Sequence, residues 1–95
     1  MTTTATKRDR ILTTAYLNRL TTLIGSAHEL QVEAIRLRMV STTRALSSIT
    51  ATLDGARCQL IEDGPSYLDA CAAFISAGAD ALAIHAANVG KNQHP

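Results

Sequence analysis

The chain has 95 residues, of which 46% are hydrophobic but only 3% aromatic, and its formal net charge is +1. This length accommodates one domain, and the apolar content, mostly Ala, Leu, Ile and Val, is too high for a disordered tail and favours helices over sheets. The near-neutral charge lacks the signal of a basic nucleic-acid-binding domain, so nucleic acid is not expected as a partner.

Charge is distributed unevenly along the chain. Residues 1–50 carry seven basic and three acidic groups, whereas residues 51–95 carry two basic and five acidic groups. The opening residues lack the apolar stretch of a signal peptide, and no apolar run has the length of a membrane span. A cytoplasmic protein without a membrane partner is therefore expected.

Helix 1 is predicted over residues 7–24, after a Thr-rich, frayed segment at residues 1–6. Thr6 followed by Asp9 is a variant of the capping box that begins many helices. Apolar residues then recur in alternating steps of four and three, which is the spacing of a packed helical seam. The members of this first seam are Leu12, Tyr16, Leu20, Leu23, Ala27, Leu30, Ala34 and Leu37.

Gly25-Ser26 is the weak point of this seam and leaves two interpretations. One long helix passes through it, or the first helix ends near Ile24 and Ser26 caps a second one. Ser26 and Glu29 form a capping-box pattern, so the break is favoured and helix 2 is predicted over residues 26–62.

A second seam starts within helix 2 in shifted phase. Its members are Ile35, Met39, Thr42, Leu46, Ile49, Leu53, Ala56 and Leu60. A phase shift rotates the apolar face around a helix, so the early and late parts of helix 2 should face different neighbours.

Asp63-Gly64-Pro65 predicts a tight turn, since Gly adopts positive φ and Pro cannot continue a helix. Ser66 with Asp69 is a capping-box pattern that restarts a helix, so helix 3 is predicted over residues 66–89. Gly90 ends it, and residues 91–95 form a polar tail. The result is one all-α domain, residues 1–95: an antiparallel helical hairpin with an additional N-terminal helix, giving a three-helix, coiled-coil-like fold.

Helix 3 is apolar over nearly half its circumference, which is more than one neighbouring helix can bury. One seam consists of Leu68, Ala72, Ile75, Ala79, Leu82, Ala86 and Val89, and a second of Tyr67, Cys71, Phe74, Gly78, Ala81 and His85. The many Ala and Gly residues let another helix approach closely. We therefore expect oligomerisation to complete the core.

Cys58 and Cys71 lie at similar distances on either side of the turn, so they form a possible cross-hairpin thiol pair. A disulfide is geometrically conceivable, but reduced, buried thiols are favoured in a cytosolic protein. No CxxC pattern is present and the His residues are far apart in sequence, so neither a metal site nor a cofactor is expected.

His28 lies in the segment Ala27-His28-Glu29-Leu30-Gln31. Over four or five residues this segment resembles the phosphoacceptor box His-Glu-Leu-Arg-x-Pro of sensor histidine kinases. The resemblance implies a dimerising helical hairpin in which His28 carries a phosphoryl group. The Pro of the box is absent, and Gln31 replaces its Arg. An ordinary surface His at a helix start is the favoured interpretation.

Tyr16 and the arginines of the early helices are candidate interaction residues. Arg19, Arg36, Arg38 and Arg44 could bind carboxylate or phosphate groups. Pairing of these arginines with Glu29, Glu33 and Asp80 is the favoured alternative, and it would add little stability.

No nucleophile elbow, paired acids or Gly-rich phosphate loop is present in the sequence, so an enzyme is not expected. The leading hypothesis is a homo-oligomeric helical module that binds another protein as an inhibitor, anti-activator or adaptor, a class that includes proteins encoded by phages and mobile elements. The second is an oligomer that sequesters an anionic small molecule such as a nucleotide. The third is histidine phosphotransfer through His28.

Overall fold

The computed structural model of the protein describes residues 6–93, which are helical almost throughout. Helix α1 spans Lys7–Arg36, α2 spans Val40–Asp63 and α3 spans Leu68–Gln93, and a single 3-10 turn at Gly64–Tyr67 joins α2 to α3. Each helix packs against the other two in an elongated bundle of 61 × 18 × 16 Å. The all-α helical hairpin with an additional N-terminal helix is therefore confirmed.

Helix α1 begins as predicted, but it does not end at residue 24. The Thr6 hydroxyl accepts from the Asp9 amide at 3.0 Å, and the Asp9 carboxylate accepts from the Thr6 amide, which completes the capping box. The helix then continues through Gly25 and Ser26 to Arg36. The predicted break at residue 25 is wrong, because the apolar seam on either side of Gly25 packs as one continuous ridge and outweighs the weak local propensity of a single Gly.

The helix break lies instead at Leu37–Met39, where the sequence contains neither Gly nor Pro. The Met39 amide donates to the Ala34 carbonyl at 2.9 Å and the Arg38 amide donates to the Ile35 carbonyl at 3.0 Å. These two bonds form a Schellman motif around Arg38, whose φ of +61° is the left-handed conformation that Gly usually supplies. The phase shift near Ile35 thus marks the boundary between two helices and not a rotation within one.

The predicted turn at Asp63-Gly64-Pro65 is present. Gly64 has φ +62° and ψ −140°, a combination that is accessible to glycine but strained for any L-residue. The Ser66–Asp69 capping box does not form, because the Ser66 hydroxyl donates to the Asp63 carbonyl within the 3-10 turn. As a result α3 begins at Leu68 and not at residue 66.

The core follows the predicted seams closely. All eight members of the first seam are buried or pack against the buried cluster. In the second seam Ile35 is the exception at 58% exposure, because it lies in the last turn of α1 and outside α2. Helix α3 passes through Gly90 and ends at Gln93, so the predicted tail is partly helical. The frayed segment predicted at residues 1–6 falls, apart from Thr6, outside the described residues, as do residues 94–95.

Candidate interaction surface

The outer surface of the hairpin is a long, uncharged strip, which we call the α2–α3 face. Helical periodicity places small residues of α2 beside the outer positions of α3, and all of them are at least partly exposed. The face consists of Ser41, Ala45, Ser48, Thr52 and Gly55 on α2 and of Ala70, Ala73, Phe74, Ala77, Ala81 and Ile84 on α3. Helix α1 covers the opposite side of the hairpin, so nothing in the described chain packs on this face.

An apolar groove of about 250 Å³ lies at the centre of the α2–α3 face. Leu53 and Gly78 form its floor, and Phe74 forms part of its wall with 38% of its surface exposed. The two helices approach closely here because Gly78 has no Cβ. A Cβ at this position would lie 2.8 Å from Leu53 Cδ2. Ile84, one of the most exposed apolar side chains at 68%, lies on the same outer face of α3. An aromatic side chain over an apolar groove is a common anchor in protein interfaces.

Charged residues are concentrated at the two ends of this face and differ in sign. Glu62 and Asp69 lie exposed near the 3-10 turn, whereas Arg44 and Lys91 lie exposed near the opposite end of the hairpin. Asp54 and Arg57 pair with each other at 2.8 Å on the side of α2 that borders a groove shared with α1, away from this face. Asp80 lies at the edge of the face. The exposed hairpin surface is therefore acidic at one end and basic at the other.

The predicted arginine residues do not form one cluster within the chain. Arg38 and Arg44 flank a groove at the α1–α2 connection, which Ile35, Met39 and Val40 line. Arg36 pairs with Glu33 in the same helix, and the Nε–Oε1 distance is 3.0 Å. Arg19 lies on α1 about 25 Å from Arg36 at the rise of an α-helix. Tyr16 packs against the core and is half-buried.

Glu33 also links the ends of α1 and α3. Its carboxylate accepts from the Gln93 amide at 3.0 Å in addition to the Arg36 guanidinium. Hydrogen bonding to Arg36 lowers the pKa of Glu33 and raises that of Arg36. The pairing of Arg36 with Glu33, one of the alternatives expected for the arginines, is thus formed.

The two histidines of the helices occupy different surroundings. His28 is exposed on α1, beside a groove between α1 and α2 that Gln31, Thr50 and Arg57 also line. His85 is half-buried on α3, and its Nδ1 is enclosed without a hydrogen-bond partner among residues 6–93. Neither histidine belongs to a group of three or more His, Cys, Asp or Glu side chains placed to hold a metal ion, and the described chain contains no such group.

The two cysteines are both free thiols and do not form a buried pair. Cys71 is fully buried, whereas Cys58 is exposed on the outer surface of α2. The prediction of two buried thiols is therefore right for Cys71 and wrong for Cys58, because equal distance from the turn does not place both side chains on the facing sides of the helices. Burial raises the pKa of the Cys71 thiol.

The hairpin also contains a strongly apolar stretch. Within Val40–Gln93 an 18-residue window has a mean hydropathy of 1.5, and only 17% of it is buried. By length and composition alone such a stretch could cross a membrane, and core helices of soluble bundles meet the same criterion. Most residues of this window therefore lie outside the core of the described chain.

Comparison with known proteins found no matching family model, curated protein or solved structure.

Proposed function

We propose that this chain is a non-enzymatic helical interaction protein, which self-associates and acts by binding another protein, as small inhibitors, anti-activators and adaptors do. The observation that carries the proposal is the exposed α2–α3 face, with its apolar groove and uncharged middle. An exposed apolar groove bordered by polar residues such as Ser48 and Thr52 is typical of interaction sites. We propose a cytoplasmic location. The reason is that α2 and α3 each bury one side in a core shared with α1, as the helices of soluble bundles do.

Sedimentation velocity on the purified chain tests this proposal. We expect a species heavier than the monomer at micromolar concentration, which dissociates on dilution. A chain that stays monomeric throughout the micromolar range would contradict the proposed self-association. In that case, binding of another protein would have to be shown separately, by capture of a specific partner with the tagged chain.

A second candidate function is the sequestration of an anionic small molecule. The observation in its favour is the groove at the α1–α2 connection, which Arg38 and Arg44 flank and in which neither arginine forms an ion pair within residues 6–93. Thermal-shift screening with nucleotides and other phosphate-containing anions tests it, because a ligand at one hundred times its Kd stabilises the folded chain by about 2.7 kcal/mol. Arg44→Ala should abolish the shift, and an unchanged shift would exclude this groove as the site.

A further inference from the structure

We infer that the α2–α3 face binds a second copy of this chain, with the two hairpins antiparallel about a two-fold axis near Ala77. The inference rests on the proposed self-association, and it specifies the surface and the geometry. A closed two-fold dimer uses the same patch on both subunits, so the face must be complementary to itself.

Charge at the ends of the face satisfies this condition in one orientation. Glu62 and Asp69 lie at the end near the 3-10 turn, and Arg44 and Lys91 lie at the other end. In an antiparallel dimer each acidic end meets the basic end of the second copy. In a parallel dimer like charges would face each other, which costs free energy and selects against that arrangement.

Side-chain size is complementary in the same orientation. Ala70, Ala77 and Ile84 are spaced by seven residues and therefore lie on one stripe of α3. A two-fold axis at Ala77 places Ala70 of one copy opposite Ile84 of the other, and it brings Phe74 to within one residue, about 1.5 Å along the helix, of the level of Ala81. Each large side chain thus meets a small one, which lets the two helices approach closely.

The size of the face matches what a dimer needs. A face as long as α2, about 36 Å at 1.5 Å per residue, and as wide as two helices, about 20 Å, covers roughly 700 Å². Stable interfaces bury about 800 Å² on each partner. A second copy would also bury Phe74 and the apolar groove, which the single chain leaves open.

Introducing a charge at the predicted axis tests the surface. Ala77→Arg places a guanidinium in the middle of the uncharged face, whereas Ala83→Arg makes the same change at an exposed position of α3 outside it. We expect Ala77→Arg to weaken dimerisation by about 100-fold or more and Ala83→Arg to change it by less than about 5-fold, with both variants keeping the helical circular dichroism of the native chain. If the native chain dimerises and Ala77→Arg dimerises equally well, the surface is wrong although self-association stands.

Cross-linking with a short bis-maleimide tests the orientation, in a Cys58→Ser background with the buried Cys71 retained. We expect Ala77→Cys to link to its own copy across the axis. Ala70→Cys and Ile84→Cys should link only when the two variants are mixed, since each lies about 21 Å from its counterpart in the antiparallel dimer. Self-linking of Ala70→Cys or Ile84→Cys, or no link at Ala77→Cys in a dimer, overturns the geometry.

Flotation with lipid vesicles distinguishes a second copy of the chain from a lipid surface as the partner that covers the face. If the native chain is monomeric and floats with phosphatidylcholine vesicles, a membrane covers the face and both the dimer and the proposed self-association fail. If it dimerises and does not float with the vesicles, the second copy is supported.

Discussion

Arg38 occupies the position that glycine usually takes at the end of a helix. Its positive φ lets two amides bond back to the last turn of α1 and directs the chain into α2. A non-glycine residue pays roughly 1–2 kcal/mol for this conformation. Because Leu37–Met39 contains no Gly or Pro, propensity alone cannot reveal this connection.

Arg38→Gly should therefore stabilise the fold. The gain from relief of backbone strain, reduced by the greater freedom of glycine in the unfolded chain, is about 0.5–1 kcal/mol. Arg44→Gly is the matched control, because it removes the same side chain from a helix interior and should destabilise by about 1 kcal/mol. Urea unfolding monitored by circular dichroism measures both. A loss of stability in Arg38→Gly would contradict the role of the left-handed backbone.

Cys58 and Cys71 should differ sharply in reactivity. Cys58 is exposed, whereas Cys71 is fully buried and its thiol pKa is raised by that burial. Since the thiolate is the reactive form, a thiol reagent should label Cys58 at once and Cys71 only as fast as the chain unfolds. Labelling of Cys58→Ser and Cys71→Ser variants, followed by mass spectrometry, distinguishes the two sites. Equal rates in the two variants would be inconsistent with the described packing.

The raised pKa of Cys71 also has a consequence for stability. Above the ordinary thiol pKa the unfolded chain releases this proton before the folded chain does. The contribution of Cys71 to stability is therefore complete below the ordinary thiol pKa and decreases as the pH rises through the raised value.

The helix ends show which of the capping-box patterns in the sequence form in the folded chain. The Thr6–Asp9 capping box forms because Thr6 lies at the start of α1, where the first amides have no other partner. The Ser26–Glu29 pattern occurs in the middle of α1, where continued backbone bonding and the buried Leu23 and Ala27 keep the helix intact. A capping pattern thus predicts a helix start only where tertiary packing does not favour continuation of the helix across that pattern.

The contact between α2 and α3 depends on Gly78. Its missing Cβ leaves space for the Leu53 side chain, which is 1% exposed and would have to shift away from an added Cβ at 2.8 Å. Gly78→Val should cost about 1–3 kcal/mol through overpacking. Gly90→Val on the same helix is the control, since nothing lies within 4 Å of its added Cβ. Thermal unfolding of the two variants compares them, and equal midpoints would argue against this close approach.

The three helices form one core, in which α1 contacts both helices of the hairpin. The fully buried Leu20, Ala27 and Ala34 of α1 cover the inner side of the hairpin. A chain of residues 40–95, without α1, should therefore lose cooperative unfolding, because short helices depend on tertiary packing for most of their stability. Differential scanning calorimetry measures this. A sharp, native-like transition in the shortened chain would show that the hairpin folds alone.

Apolar spacing in the sequence predicted the all-α class and nearly every core position, and Asp63-Gly64-Pro65 predicted the turn, because helix period and turn propensity are local properties of the chain. The end of α1 was predicted wrongly, since the Ser26–Glu29 capping pattern favoured a break at Gly25, and the phase shift near Ile35, the only sign of the true boundary, was interpreted as a rotation within one helix. Tertiary packing decided both, because burial of Leu23, Ala27 and Ala34 favours one helix through Gly25, and the turn at Arg38 brings α2 back onto α1. The sequence likewise indicated that α3 is too apolar for one neighbour, but only the packed bundle shows which side α1 leaves open.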